Sequence, residues 1–323
     1  MRLEKIYGLI ESDLAKVEEK LNSVSKVDFS WLSKMLGYTI EGGGKRIRPA
    51  LTLLSGKFYN YNLEPLLRMA TSVELLHTAT LIHDDAIDKS SVRRGRPTFN
   101  TIYGDEKAIL LGDYLFAKAG EFAASTENLR VVKLFAQTLM TISKGELNQA
   151  MSAFNLEQNF DNYLYRITAK TASLFMLATE SGAVLSQAPE SSVQSLKEYG
   201  HSLGIAFQVV DDILDYISSE EELGKPVGSD LAQGTFTLPA MLLQKRYPDD
   251  NPVNRSFQTR SGDKQAEIKQ AIELIRNSTI VDECYKVAAD YSAKACNYLE
   301  GLPDNPARQV LVELAQYVVR RKK

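Results

Sequence analysis

The chain has little cysteine: two residues, Cys284 and Cys296, in 323. On one helix their twelve-residue spacing separates them by about 18 Å, beyond the reach of a disulfide. Two free thiols suit a reducing compartment, so a cytoplasmic protein is expected. Glycine and proline are also sparse, at 19 and 10, and so few turn residues favour a helical chain. No apolar run reaches the roughly 18 residues that a membrane helix needs, so the chain is not expected to be integral to a membrane. The segment MRLEKIYGLIESDLAKVEEK is charged throughout and lacks the apolar core of a secretory leader. Neither sign of charge dominates: 38 Lys and Arg against 41 Asp and Glu, net −3. That balance argues against a nucleic-acid partner. Any anion site must come from local basic clusters. Among only three histidines, no Ser–His–Asp or Cys–His constellation stands out.

Apolar residues recur at three- and four-residue steps over Leu66–Asp88, Val131–Gln149, Tyr163–Leu185, Val193–Ile217 and Ala266–Leu299, the period of a helix with one buried face. Asn305 before Pro306 reads as a cap and a first-turn proline opening a last helix to about Arg320. The basic end, Arg320 to Lys323, reads as a solvated helix terminus. Strand–turn–helix alternation is missing, so a parallel sheet is not expected. Ser218–Phe236 and Pro248–Asp263 read as loops, the second as a surface linker. No break in composition divides the chain. The expectation is an all-α protein forming a single large helical domain over residues 1–323.

Two DDxxD motifs stand out, Asp84-Asp85-Ala86-Ile87-Asp88 and Asp211-Asp212-Ile213-Leu214-Asp215, 127 residues apart and each ending an apolar helical run. On a helix, residues four apart differ by about 40°, so Asp84 and Asp88 share a face, as do Asp211 and Asp215. Acidic residues are favoured at helix starts, not at the ends of apolar runs. One such motif passes for a solvated helix end, but two with basic partners do not. Hard oxygen donors in this arrangement suit Mg²⁺ completed by substrate phosphate oxygens.

The basic partners lie in turns bounded by Gly or Pro: Gly42-Gly43-Gly44-Lys45-Arg46-Ile47-Arg48-Pro49, Arg93-Arg94-Gly95-Arg96-Pro97-Thr98 and Gly224-Lys225-Pro226-Val227-Gly228. Arginine offers a planar fork for phosphate and lysine a point charge. The glycine triplet is not a P-loop, because Thr39 and Arg46 stand where that motif needs Gly and Ser or Thr. Acidic metal ligands with several cationic turns point to a metal-chelated diphosphate and room for a second anion. His77, seven residues before Asp84, lies about 20° from it on the wheel and leans to a ligand role; His83 lies about 100° round and reads as structural.

HDDAIDxxxxRRGxPT, GGKRIRP, FQVVDDILD and GKPVGSD, in this order from about Gly43 to Pro239, resemble the trans-isoprenyl diphosphate synthases, or polyprenyl synthetases. The resemblance implies the isoprenoid synthase fold, with a central apolar cavity between helices, and commonly a homodimer. It implies about three Mg²⁺ ions per site, hard cations for carboxylate and phosphate. Asp84, Asp85 and Asp88 match the first aspartate motif, with the allylic diphosphate's metal. Asp211, Asp212 and Asp215 match the second, Asp211 and Asp215 as its metal ligands. Lys45, Arg48, His77 and Arg94 match the pocket for isopentenyl diphosphate. Arg93, Lys170, Gln208 and Lys225 match residues that grip the allylic diphosphate, with Thr171 beside Lys170. Glu146 and Gln149 match a GExxQ helix lining the cavity. In one departure, Thr235 stands where many members carry a further lysine.

The implied reaction is Mg²⁺-assisted ionisation of an allylic diphosphate, attack by isopentenyl diphosphate and loss of a proton. A tail growing from Asp84 must pass back along its helix at about 5.4 Å per turn. The wheel puts Thr80 nearest the Asp84 face, and the family adds Ala79 as its usual length gate. Both are small, so the tail should pass to Leu76, Val73, Leu134 and Phe135, giving a product of roughly thirty to fifty carbons at one isoprene unit per turn. The alternative for Ala79 is a tight helix–helix contact. Rival functions are a short-chain synthase, a terpene cyclase, a metal phosphohydrolase and a non-catalytic subunit of a two-protein synthase. The intact aspartates and the Lys45–Arg48–His77 set argue against the last three.

Overall fold

The computed structural model describes residues 3–219, 226–258 and 264–321. Thirteen helices of eight or more residues account for most of them. They are α1 (Glu11–Ser23), α2 (Ser30–Ile40), α3 (Ile47–Gly56), α4 (Leu63–Ile87), α5 (Asp105–Ala124), α6 (Leu129–Met151) and α7 (Phe160–Ile167). After them come α8 (Ser173–Leu185), α9 (Glu190–Ile217), α10 (Leu238–Arg246), α11 (Lys264–Arg276), α12 (Ile280–Tyr298) and α13 (Pro306–Arg320). The one sheet among the described residues is a two-stranded hairpin, Val92–Arg93 with Arg96–Pro97. No helix among them is long and apolar enough to cross a membrane.

Local chemistry explains several boundaries. The Asn305 side chain accepts from the Arg308 amide ahead of Pro306, satisfying one of the orphan donors of a helix start. Asn128 does the same at α6, and Asn159 with Asn162 closes a reciprocal capping box at α7. Elsewhere the periodic pattern hides breaks. Tyr163–Leu185 is not one helix: a π-helical turn, Thr168–Ala172, separates α7 from α8. Ala266–Leu299 is likewise two helices, parted at Asn277–Thr279, where neither Gly nor Pro gives warning. The expected linker Pro248–Asp263 contains a helix, Pro252–Gln258, with Val253 fully buried. Both cysteines fall on α12 and are free.

Helix α4 lies along α5 and also touches α1, α3 and α8. Helix α9 packs on α8 and α12. The two motif helices therefore flank α8. Close approach of α9 depends on Gly204, where a Cβ would fall 2.5 Å from the Ala172 Cα. Apolar burial continues from the first half of the chain through α8 and α9 into α10, α11 and α12, with Phe175, Tyr199, Tyr163 and Tyr216 fully buried. Burying each such ring contributes roughly 1.5–3 kcal/mol, which fixes the helix ends that carry the acidic motifs.

Candidate active site

Both aspartate motifs occupy the last turns of their helices, α4 and α9. The π-helical turn joins them. Lys170 Nζ lies 3.3 Å from Asp84 Oδ2 and 2.9 Å from Glu146 Oε1 of α6. The next residue, Thr171, donates to Gln208 Oε1 at 2.5 Å, and Gln208 Nε2 donates to Asp212 Oδ1 at 2.8 Å. Burial alone would lower the Lys170 pKa, but Asp84 and Glu146 more than offset it and hold the ammonium charged. Burial raises that of Glu146, with Asp84 adding and Lys170 opposing. Gln149 is half-buried on the same helix.

The six aspartates differ in what already holds them. Asp85 is buried and takes the Arg93 guanidinium on both oxygens, at 2.8 to 2.9 Å. Asp212 is buried and accepts from Tyr163 Oη at 2.7 Å. Burial pushes its pKa up to about 7, with the Asp230 charge adding and the Gln208 and Tyr163 bonds opposing. Asp215 accepts from Ser229 Oγ at 2.9 Å and from the Asp230 amide at 3.2 Å. Asp211 is paired with Arg321 at 2.6 Å. Asp84 shows 16 % of its side chain, and Asp88 is exposed. Among the described residues no three His, Cys, Asp or Glu side chains converge as a ready metal cage. Mg²⁺ bound through one or two carboxylates and substrate phosphate needs no such cage. Asp84, Asp88 and Asp211 supply hard oxygens, so the donor set fits that ion.

A second group gathers around the start of α3. Arg46 and Arg94 both adopt left-handed backbone, with φ of 50° and 53°. For Arg94 this is the first position of the two-residue hairpin turn with Gly95, whose φ is 74°, and such a turn needs positive φ at both places. Arg46 donates to Glu74 at 2.8 Å and grips Glu18; Arg94 reaches the Gly43 carbonyl. Arg48 is buried over the Phe175 ring at 5.0 Å, with Nε unpartnered. Its pKa is pulled down to about 10 by burial, against Glu74 and Asp211, with Arg94 and Arg321 adding to the fall. The half-buried His77 is held neutral by burial and by Arg48, Arg94, Arg93 and Arg46. A cavity of about 100 Å³ opens here, lined by His77, Thr78, Arg46, Glu74, Arg93 and Arg94 with apolar Leu75, Leu81 and Phe99. Lys45 is half-buried beside it, its carbonyl bonded by Tyr7.

Along α4, Ser72 donates to the Ala119 carbonyl and His83 bonds that of Ile109, both on α5. His83 fits only because residue 112 is Gly, where a Cβ would fall 2.1 Å from its Nε2. Ala79 lies on the same stripe, within about 40° of both, and is fully buried, as are Leu76 and Val73. Thr80 is half-buried on the Asp84 face and bonds the His77 carbonyl. Leu134 is half-buried and Phe135 buried on α6. Lys225 falls outside the described residues.

The sequence gives no role to Glu74, shows Arg46 only as one cation of its turn, and presents Arg321 only as part of a basic end. Glu74 stands inside an apolar run, with nothing local to announce its Arg46 partner. Arg321 was read as part of a solvated end, yet only 3 % of its side chain is exposed. A basic run at a terminus carries no sign that one member turns inward.

An all-helical body, two aspartate motifs tied through Lys170 and Thr171 of one turn, and a flanking arginine pocket define an enzyme of the isoprenoid synthase class, acting on diphosphates. The polyprenyl synthetase family model matches residues 29–275, and the chain belongs to that family. It is 37% identical over 322 residues to the heptaprenyl diphosphate synthase component 2 of Geobacillus stearothermophilus, covering 99% of each. Identity is 32% over 321 residues to the octaprenyl diphosphate synthase of Haemophilus influenzae, covering 99% of this chain and 98% of that one. The crystal structure of a polyprenyl synthase from Caulobacter crescentus, complexed with calcium and isoprenyl diphosphate, matches with a TM-score of 0.95 and 34% identity. That match covers 100% of this chain and 98% of the other. The chain is thus a trans-prenyltransferase of the long-chain polyprenyl diphosphate synthase type, as its motifs imply.

Proposed function

We propose that the chain, as one domain of residues 1–323, condenses isopentenyl diphosphate with an allylic diphosphate. The single observation that carries the reading is the bridge of Lys170 and Thr171 between the two aspartate motifs, beside a pocket of arginines. Asp84, Asp88 and Asp211 would hold Mg²⁺, with Asp85 aiming Arg93 at the allylic diphosphate and Asp215 pinning the loop that continues toward Thr235. When bound, the ion supplies Lewis-acid stabilisation of the leaving diphosphate. Lys170, Gln208, Thr171 and Lys225 grip that same group. Arg48, Arg94, Lys45 and a neutral, hydrogen-bonding His77 hold isopentenyl diphosphate. Buried Phe175, Leu76 and Val73 exclude water that would quench a carbocation. The released diphosphate takes the proton.

The tail would run between α4 and α5, past Ala79 and Thr80, toward Leu76, Val73, Leu134 and Phe135. The exposed Leu129, Met140, Leu147 and Met151 form one stripe on α6, which supports a homodimer through that face. The name of the Geobacillus relative, a component, favours a second occupant, a different partner subunit. Its two free thiols support a reducing compartment, the cytoplasm. The test is the purified chain with labelled isopentenyl diphosphate, farnesyl diphosphate and Mg²⁺, with product length read by chromatography. Products of roughly thirty to fifty carbons are expected, one unit per helical turn. Silence of the chain alone, relieved by a second protein, would support the component reading.

A further inference from the structure

The residue at the end of α13 leaves the helix: Arg321 has φ −66° and ψ 148°. Its side chain folds back onto α9. Nη2 donates to Asp211 Oδ1 at 2.6 Å and to the Phe207 carbonyl at 2.8 Å, while the guanidinium stacks 3.9 Å from the centre of the Phe207 ring. Phe207 and Asp211 are one turn apart, so ring, carbonyl and carboxylate form a cradle from one face of α9. Arg321 is nearly inaccessible, yet 40 % of the Asp211 side chain is exposed, and Oδ2 has no partner among the described residues. The arginine is committed; the aspartate is half available.

We propose that Arg321 is the exchangeable counter-ion of Asp211, neutralising the second aspartate motif until a divalent cation claims that carboxylate. The proposal rests on the reading of Asp211 as a metal ligand. A buried guanidinium stripped of its one anion among the described residues would be costly. Here the Phe207 ring and carbonyl remain to hold it, one by cation–π attraction and one by a hydrogen bond. The cradle therefore lets the carboxylate change partner without expelling the arginine. The exchange also reaches the other pocket. The Arg321 charge already bears on Arg48, and both guanidiniums keep a buried, unpartnered Nε. When a cation takes Asp211, the uncompensated charge of Arg321 strengthens attraction for an anion beside Arg48. Such coupling is reciprocal: an anion at Arg48 favours the cation at Asp211.

The experiment is Mn²⁺ titration of the full chain without substrates at neutral pH, followed by electron paramagnetic resonance, with thermal unfolding recorded in parallel. Arg321→Gln should tighten Mn²⁺ binding roughly fivefold, the factor that about 1 kcal/mol of a part-exposed ion pair represents. Arg321→Lys should stay near the wild type. In an Asp211→Asn background Arg321→Gln should change nothing. If Arg321→Gln does not fold, Arg321→Met keeps an apolar stem on Phe207 and should give the same tightening. Unchanged or weaker Mn²⁺ binding in a folded Arg321→Gln or Arg321→Met chain would overturn the proposal and leave Arg321 a brace for α13. Asp211→Asn that binds Mn²⁺ as the wild type does would instead overturn the metal reading of the motif, and this proposal with it.

Discussion

Asp212 should make the metal-free protein less stable as pH rises. Burial lifts its carboxyl from 3.8 to about 7 in the folded chain, whereas the unfolded chain ionises near 3.9. Between those values the unfolded chain has released a proton that the folded chain still holds. Rising pH therefore favours unfolding from about pH 4, and the effect levels off above about pH 7. At 1.36 kcal/mol per pH unit the whole loss is on the order of 4 kcal/mol, of which about 2.5 falls between pH 5 and pH 8. That is a large share of the 5–15 kcal/mol that typically holds a protein together. Asp212→Asn removes the charge, and its amide can still accept the Tyr163 hydroxyl. Urea titrations of both proteins in chelator at pH 5 and pH 8 give the comparison. The wild type should lose about 2.5 kcal/mol relative to Asp212→Asn over that interval. Parallel loss in the two would refute the argument, because Asp212 would then be ionised at both pH values.

Asp84→Ala should cut turnover by orders of magnitude while thermal unfolding barely moves, since this carboxylate faces a lysine at the site and not the core; near-normal turnover would remove the basis of the active-site reading. Arg48→Ala should raise KM for isopentenyl diphosphate more than KM for the allylic substrate, and equal rises would mean the two diphosphate sites are misassigned. Ala79→Phe should shorten the product to about fifteen or twenty carbons with activity retained, the tail stopping within the first turn back from Asp84; an unchanged product pattern would show that Ala79 only packs against α5.

The motif helices were legible because their apolar periodicity runs without interruption into the aspartates, and α13 because Asn305 and Pro306 announce its start. What escaped had no local marker. The π-helical turn has ordinary helical composition, and its register is set by contacts such as Gly204 on Ala172. The break between α11 and α12 comes where the two helices must re-aim around α9, a tertiary demand. Glu74 lies inside the apolar run VELLH, so its carboxylate reads as an interruption until Arg46 is seen against it. The partners of Asp85, Asp212 and Asp215 are equally invisible: a motif shows six carboxylates, and only the fold shows which are already spoken for.

The π-helical turn sets a limit on how the enzyme can move. Lys170 answers to α4 and its neighbour Thr171 to α9, so two consecutive residues rivet three helices at one level. Sliding α8 by one turn, about 5.4 Å, would pull both side chains off their partners at once. Adding or deleting a single residue in Thr168–Ala172 would rotate one of them away by about 100°. The ionising end of the cavity is thus a fixed anvil. On the proposed tail path, adaptation to longer or shorter products would fall to side-chain size further down α4, α5 and α6, leaving the register of this turn untouched.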